Sequence, residues 1–373
     1  MKKVKILKRK NNYRNIKIKR GEPLLGKDSG LFLKGKIKNK HKRYNCFKIN
    51  TNFCLKLLLP LFIILLVVFI ILRKNINISR RKLKINKKDN YFACFIGIGR
   101  QENKYLRELI DYYSKLGVER FILGDNNINN TEKFSDVIQD YVDSDLVEII
   151  ELFGSSMGQA ELYQITYDRY RNKCKWFLLF DLDEYLVVHF EKDKSLTLKE
   201  FLPNETFNKC EAIEFNWVIY GDNELIHYDK RPLVERFTEP YFEDKANSYV
   251  KSILRGGLNK TVFVPKKSNH VPERCVTICD SKGNILNSYN PFIHNPPIFD
   301  YGYLKHFTTK TAEEYCEKII RGQPTNLGYD PAERVQCFFS HNRFSEEKLK
   351  VFESKFNRTF NPISNRNDFR GKL

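Results

Sequence analysis

Trp176, Phe177, Leu178, Leu179 and Phe180 run without interruption into Asp181, Leu182, Asp183 and Glu184. An apolar run of this length, bounded by polar residues, reads as a strand buried on both faces. The acids stand where such a strand ends. Three carboxylates in four positions repel one another unless a cation offsets them. In an extended chain residues i and i+2 project the same way, so Asp181 and Asp183 are expected to converge on one hard metal ion, Mg2+ or Mn2+.

The flanking segments say what kind of sheet this strand joins. Strands are expected at residues 91–98, 118–123, 147–152 and 176–182, with helices over 104–116 and 157–173 between them. Leu106, Leu109, Ile110, Tyr113 and Leu116 keep helical spacing, and Gly117 stops that helix. Strand and helix alternating in this way imply an α/β fold with a parallel, doubly wound sheet, whose ligands bind outside the carboxyl ends of the strands. Further strands are expected at 212–220, 249–254 and 261–264. The Thr311–Glu314 capping box opens a helix over 312–321, closed by Gly322.

Net charge points elsewhere at first. The chain carries 65 Lys and Arg against 45 Asp and Glu, a balance of +20 over 373 residues. The first ninety residues, however, hold 27 basic groups and three acids, leaving 38 basic and 42 acidic groups in the other 283, a net of −4. A folded part that is mildly acidic argues against a whole-domain nucleic-acid binder. The 42% hydrophobic content excludes a wholly disordered chain.

Residues 57–72 are apolar without a charge, and with 53–56 they make twenty residues, roughly 30 Å of helix. The expected organisation is a basic disordered tail at 1–52, a transmembrane signal-anchor at 53–72, a basic stem at 73–90, a catalytic domain at 91–361 and a frayed end at 362–373. Six Lys and Arg in 37–56 face eight just after the anchor, so local counting does not fix the orientation. Five Asn-x-Ser/Thr sequons beyond the anchor, at Asn77, Asn129, Asn204, Asn259 and Asn357, favour a single-pass, type II protein with a lumenal Golgi or ER domain over a cytoplasmic one. Seven of nine cysteines follow the anchor, at spacings that define neither a disulfide framework nor a zinc site.

Several blocks together resemble the GT-A glycosyltransferases of family 92 and their family-2-like relatives. They are residues 98–127, where Gln101 stands at the family's usual Asn; Gln159 with 176–187; 215–223 with 231–238; 249–255; His270; and 304–322. In the loop after Gly221, Asp222 and Asn223 replace the family's Ser and Gly. The resemblance implies a Rossmann-like mixed sheet flanked by helices. It also implies a metal-dependent, inverting transfer of a sugar, galactose among the candidates, from a nucleotide sugar (UDP-linked) to a glycan, glycolipid or polysaccharide.

Carried onto this sequence, the resemblance gives Arg100, Glu102 and Asp125 to the nucleotide pocket. Asp181 and Asp183 take the metal and the ribose or diphosphate, His306 is a further metal ligand, and Lys305 or Lys251 lies near the phosphates. Plainer roles stand beside these: an Arg100–Glu102 surface ion pair, a core His306, a snorkelling Lys251. Trp217 is either core or a sugar-stacking platform for the acceptor, and His270 is open in the same way. An inverting transfer needs a carboxylate base. Asp222, Glu224 and Glu235 follow the Trp217 strand, and Glu235 is preferred, with Asp222 behind it. Two other functions compete. One is a haloacid-dehalogenase-type phosphatase using the same acid block, which Tyr185 disfavours. The other is a membrane-tethered scaffold whose basic tail binds polyanions.

Overall fold

The computed structural model describes Leu66, Val68 and residues 90–128, 131–152, 158–192, 194–259, 276–287, 293–322 and 330–362. The chain divides into two units, Met1–Asn77 and Ile78–Leu373, and all but two of the described residues belong to the second. The expected anchor lies outside the described residues except for Leu66 and Val68, which are helical and exposed. Among the described residues no helix is long and apolar enough to cross a membrane. The expected tail, the stem but for Asn90, the strand at 261–264 and site residue His270 also fall outside them.

The second unit opens as the alternation predicts, with β1 (Tyr91–Gly99), α1 (Asn103–Leu116), β2 (Arg120–Asp125), α2 (Ser135–Asp143), β3 (Val147–Glu151), α3 (Gly158–Tyr170) and β4 (Cys174–Leu179). It continues through β5 (Glu184–Val188), α4 (Leu198–Phe201), β6 (Ala212–Tyr220), α5 (Leu233–Arg236), β7 (Pro240–Tyr241), β8 (Val250–Arg255), β9 (Ile278–Cys279) and β10 (Gly302–His306). The last helices are α6 (Ala312–Arg321), α7 (Pro331–His341) and α8 (Glu346–Phe356). Local chemistry sets several ends. Gly117 terminates α1 at φ 110°, a left-handed cap that costs a residue with Cβ more. The Thr311–Glu314 capping box opens α6 at the predicted residue.

The main sheet has the order β3-β2-β1-β4-β8-β6-β10-β5. β1 to β4 are mutually parallel. Beyond β4 the expectation of a purely parallel, doubly wound sheet does not hold. β8 runs antiparallel to both β4 and β6, and β10 antiparallel to β5. The sheet is the mixed one that the resemblance implies, flanked by helices. Strand periodicity says which residues are buried but carries no direction, so the reversal at β8 was not readable from it.

Alternate residues of the central strands feed two cores. Ala93, Phe95, Phe121, Leu123, Trp176 and Leu178 pack with Leu106, Leu109, Ile110 and Tyr113 of α1. Cys94, Ile96, Ile122, Phe177 and Leu179 pack with Leu162, Tyr163 and Tyr167 of α3. Both faces are therefore sealed, and the carboxyl edge of β1 to β4 is left for chemistry. Disulfides join Cys94 to Cys174 and Cys210 to Cys279, a pairing that scattered spacings could not specify.

Candidate active site

β4 ends at Leu179, three residues short of the strand expected over 176–182, and Asp181 to Glu184 form a tight turn into β5. The Asp181 N–H donates to Glu184 Oε2 (3.0 Å) and the Glu184 N–H returns to the Asp181 carbonyl (3.2 Å). Because the chain turns here, strand alternation no longer applies, and the two aspartates engage different partners. Asp181 accepts from Gln159 Nε2 (2.8 Å) of α3 and from Lys251 Nζ (2.6 Å) of β8. Asp183 lies 3.0 Å from Lys318 Nζ, 3.6 Å from His306 Nε2 and 3.8 Å from Lys310 Nζ.

The reversed direction of β8 is what delivers the first lysine. Pairing of Leu179 with Ser252 sets Lys251 just past the end of β4. Its ammonium, fully buried, also stands 3.4 Å from Glu184 Oε1. Burial alone would lower its pKa, but Asp181 and Glu184 raise it overall, so it stays charged. One carboxylate suffices to balance it. Glu184, stripped of water, is pushed up to about 8, Lys251 offsetting only part of the burial. Asp183 behaves oppositely. Burial would raise it, yet Lys318, His306 and Lys310 hold it well below the usual carboxylate range.

His306 closes β10, paired with Glu184 on one side and Ile219 on the other. Its ring centroid is 4.2 Å from that of Trp217, which also contacts Tyr249 at 5.1 Å. Burial lowers the His306 pKa, favouring the neutral imidazole, and its Nδ1 is buried without a hydrogen-bond partner. A neutral imidazole nitrogen beside a carboxylate is a donor set suited to Mn2+. Asp183 and His306 thus fit as two ligands, and Asp181 is occupied with Gln159 and Lys251. Among the described residues no three His, Cys, Asp or Glu side chains gather to hold an ion alone. Completion by substrate oxygens and water is ordinary for such ions.

A cavity of about 340 Å³ has Glu102, Lys104, Tyr105, Lys310, Lys318 and Arg321 among its walls, and two of these, Lys310 and Lys318, face Asp183. A larger one, about 510 Å³, is lined by Tyr91, Val147 and Lys173 at the amino ends of the strands. That is the wrong edge of the sheet for this chemistry.

The sequence candidates are distributed as follows. Glu102 lines the smaller cavity but is ion-paired with Arg321, not Arg100. Arg100 donates through Nε to the Asn126 carbonyl (3.0 Å), and Arg321 donates to the Arg100 carbonyl (2.8 Å). Asp125 accepts from the Asn127 and Phe134 N–H groups (3.0 and 2.9 Å), which fixes the loop after β2. Lys305 alternates with His306 and lies over the Tyr220 ring at 5.4 Å. Asp222 is buried against Lys348 (2.7 Å), which also holds Glu224 (2.8 Å). Glu235 is exposed on α5.

Lys310, Lys318 and Arg321 were not singled out from the sequence. A signal existed: Glu314, Lys318 and Arg321 follow at spacings of four and three on α6, so they share one helix face. Glu314 pairs with Arg236 through two hydrogen bonds (2.8 and 3.0 Å), fastening that face to α5.

Residues 89–359 match the family model described as glycosyltransferase family 92. The chain belongs to glycosyltransferase family 92. Membership makes it a glycosyltransferase and sets aside the phosphatase reading of the same acid block. Among solved structures, S. aureus TarS 1-349 is similar at 16% identity, covering 76% of this chain and 75% of that one with a TM-score of 0.33. TarS 1-349 in complex with UDP-GlcNAc is similar at 14%, covering 71% and 72%, with a TM-score of 0.35. These likenesses are distant, and nothing about this site rests on them. Comparison with curated proteins finds no match.

Proposed function

We propose that this family 92 member transfers a sugar from a nucleotide sugar, UDP-linked and with galactose the first candidate, to a hydroxyl of a glycan or glycoconjugate, with inversion. The observation that carries the reading is the Asp183–His306 pair, set at the carboxyl end of β4 beside a cavity edged by Lys310 and Lys318.

Asp183 and His306 would hold Mn2+ or Mg2+, which supplies charge stabilisation for the departing diphosphate. Lys318 is the more accessible of the two lysines on Asp183, at 29% side-chain exposure against 5% for Lys310. Held also by the Thr308 carbonyl (2.8 Å), it would turn from Asp183 toward a phosphate oxygen when the carboxylate takes another cation. Lys251 keeps Asp181 and Gln159 in place. The Trp217 and Tyr249 rings offer an apolar face to an acceptor sugar. The acceptor proton goes to a carboxylate: Glu235 is the exposed candidate, and its neighbour Arg236 is tied to the helix that carries Lys318.

The two disulfides support an oxidising compartment. With the apolar segment at 53–72 they favour a type II Golgi protein with this domain in the lumen. The mildly acidic balance of the domain argues against nucleic acid as its partner.

The test incubates the purified full-length chain with a panel of nucleotide sugars and Mn2+ and measures nucleoside diphosphate release. Release from one donor, absent in Asp183→Ala, supports the reading. Failure of every donor to bind or turn over, or an Asp183→Ala enzyme as active as the parent, would sink it.

A further inference from the structure

A second cluster of reactive groups lies away from the acid turn. α7 carries Cys337 and His341, four residues and one helical turn apart, so both side chains share a face. His341 Nδ1 is 2.7 Å from Asp244 Oδ2, and the side chains of both partners are largely buried. The remaining ring nitrogen is left for Cys337, whose thiol hydrogen-bonds the imidazole. Tyr315 of α6 hydrogen-bonds the same sulfur, and Arg334 of α7 adds a positive charge nearby. Cys337 is half-buried and in no disulfide. Thiol, imidazole and carboxylate are thus linked in pairs, contributed by one helix and by the residue that caps the turn at Lys245–Ser248.

We propose that Cys337 is a nucleophilic cysteine site, set by His341 and Asp244, that takes small disulfides and other soft electrophiles. The electrostatics agree with the geometry. The His341 contact lowers the thiol below its ordinary value against the effect of burial. Burial would lower His341, but Asp244 and Cys337 push it up to about 9. The two shifts run in opposite directions and both favour a proton on the imidazole over one on the thiol, the arrangement that activates cysteine. In the exchange step the Cys337 Sγ attacks one sulfur of the disulfide. The new S–S bond forms as the old one breaks, and the departing thiolate takes the proton from His341. The product is a mixed disulfide on Cys337 and one free small thiol. Modification removes the partner of His341 next to Asp244, whose Oδ1 caps the turn leading into β8 by accepting from the Ala246 N–H (2.9 Å).

The contrast within the chain is Cys316, buried on α6 with its thiol pushed up to about 12 by burial. The test treats the native full-length chain with iodoacetamide, and separately with oxidised glutathione, across pH 5 to 9 and follows each cysteine peptide by mass spectrometry. Cys337 is expected to react at about pH 6.5 roughly tenfold or more faster than in His341→Gln, while Cys316 stays unreacted. Should His341→Gln lose its native circular dichroism, Asp244→Asn gives the same comparison, and the parent profile decides by itself. A parent midpoint at or above about 8.5, the value of an ordinary thiol, overturns the proposal. So does a rate unchanged in a folded His341→Gln.

Discussion

Lys251 of β8 meets Asp181 at 2.6 Å with its side chain wholly excluded from solvent, while the aspartate keeps 32% of its own exposed. The pair joins an antiparallel strand to the end of a parallel one, and it neutralises a turn that also contains Glu184. Replacing Lys251 by Met leaves that turn without its cation. The expected loss is about 2 kcal/mol of unfolding free energy, measured by urea titration, because the part-buried Asp181 keeps its charge and loses its hydrogen-bonded cation. Asp181→Asn in the same background should recover part of it. A loss below about 1 kcal/mol would show the pair to be energetically idle.

Asp183 and His306 are predicted to separate in their effects. Asp183→Asn removes the charge that faces Lys318 and Lys310, and turnover is expected to fall by about 10² or more. His306→Gln should instead raise the Mn2+ concentration needed for half-maximal activity by roughly tenfold. Both are read from diphosphate release against metal concentration. Equal metal dependence in His306→Gln and the parent would remove the imidazole from the metal site.

Two buried glutamates give opposite pH limbs. Glu214 of β6 is 2% exposed and its Oε1 has no hydrogen-bond partner. Burial, with Asp280 adding repulsion, pushes it up to about 8. The folded state thus holds this proton more tightly than the unfolded one, so the stabilisation is complete below about pH 4.5 and is lost as pH rises toward 8. Glu214→Gln should flatten that decline by on the order of a few kcal/mol. Glu314 is held down to about 2, burial being outweighed by Arg236. Its contribution is present above about pH 4.5 and lost as pH falls toward 2, and Arg236→Met should erase that acid limb. Thermal midpoints across pH 3 to 8 check both, and parallel profiles for parent and variants would contradict them.

The disulfides close long loops, 80 residues between Cys94 and Cys174 and 69 between Cys210 and Cys279. Each is expected to contribute about 4 kcal/mol by restricting the unfolded chain. Cys210→Ser with Cys279→Ser should lower the urea midpoint accordingly. Identical midpoints before and after reduction of the parent would mean that these pairs do not form in the isolated protein.

Much of the architecture was legible because it is written locally. The end of α1 at Gly117 and both ends of α6 come from caps within a few residues of the helix. β4 was legible from five apolar residues, though not its last position, because Phe180 and Leu182 are buried in the turn as thoroughly as the residues of the strand. The acid block announced the site. Its wiring was hidden: i and i+2 alternation implied one shared ion, and the turn gave each aspartate its own cation.

The sequence by itself determined that a buried strand ends in acid, that α and β segments alternate before it, and that the positive charge belongs to the first ninety residues. These follow from spacing and composition, which act over one or two turns of chain. Only the tertiary structure decided what the acids touch. Lys251 is 70 residues from Asp181, and Lys318 is 135 from Asp183. Contacts at such separations depend on strand order and direction. Residue periodicity, which records burial and not direction, carries no trace of either.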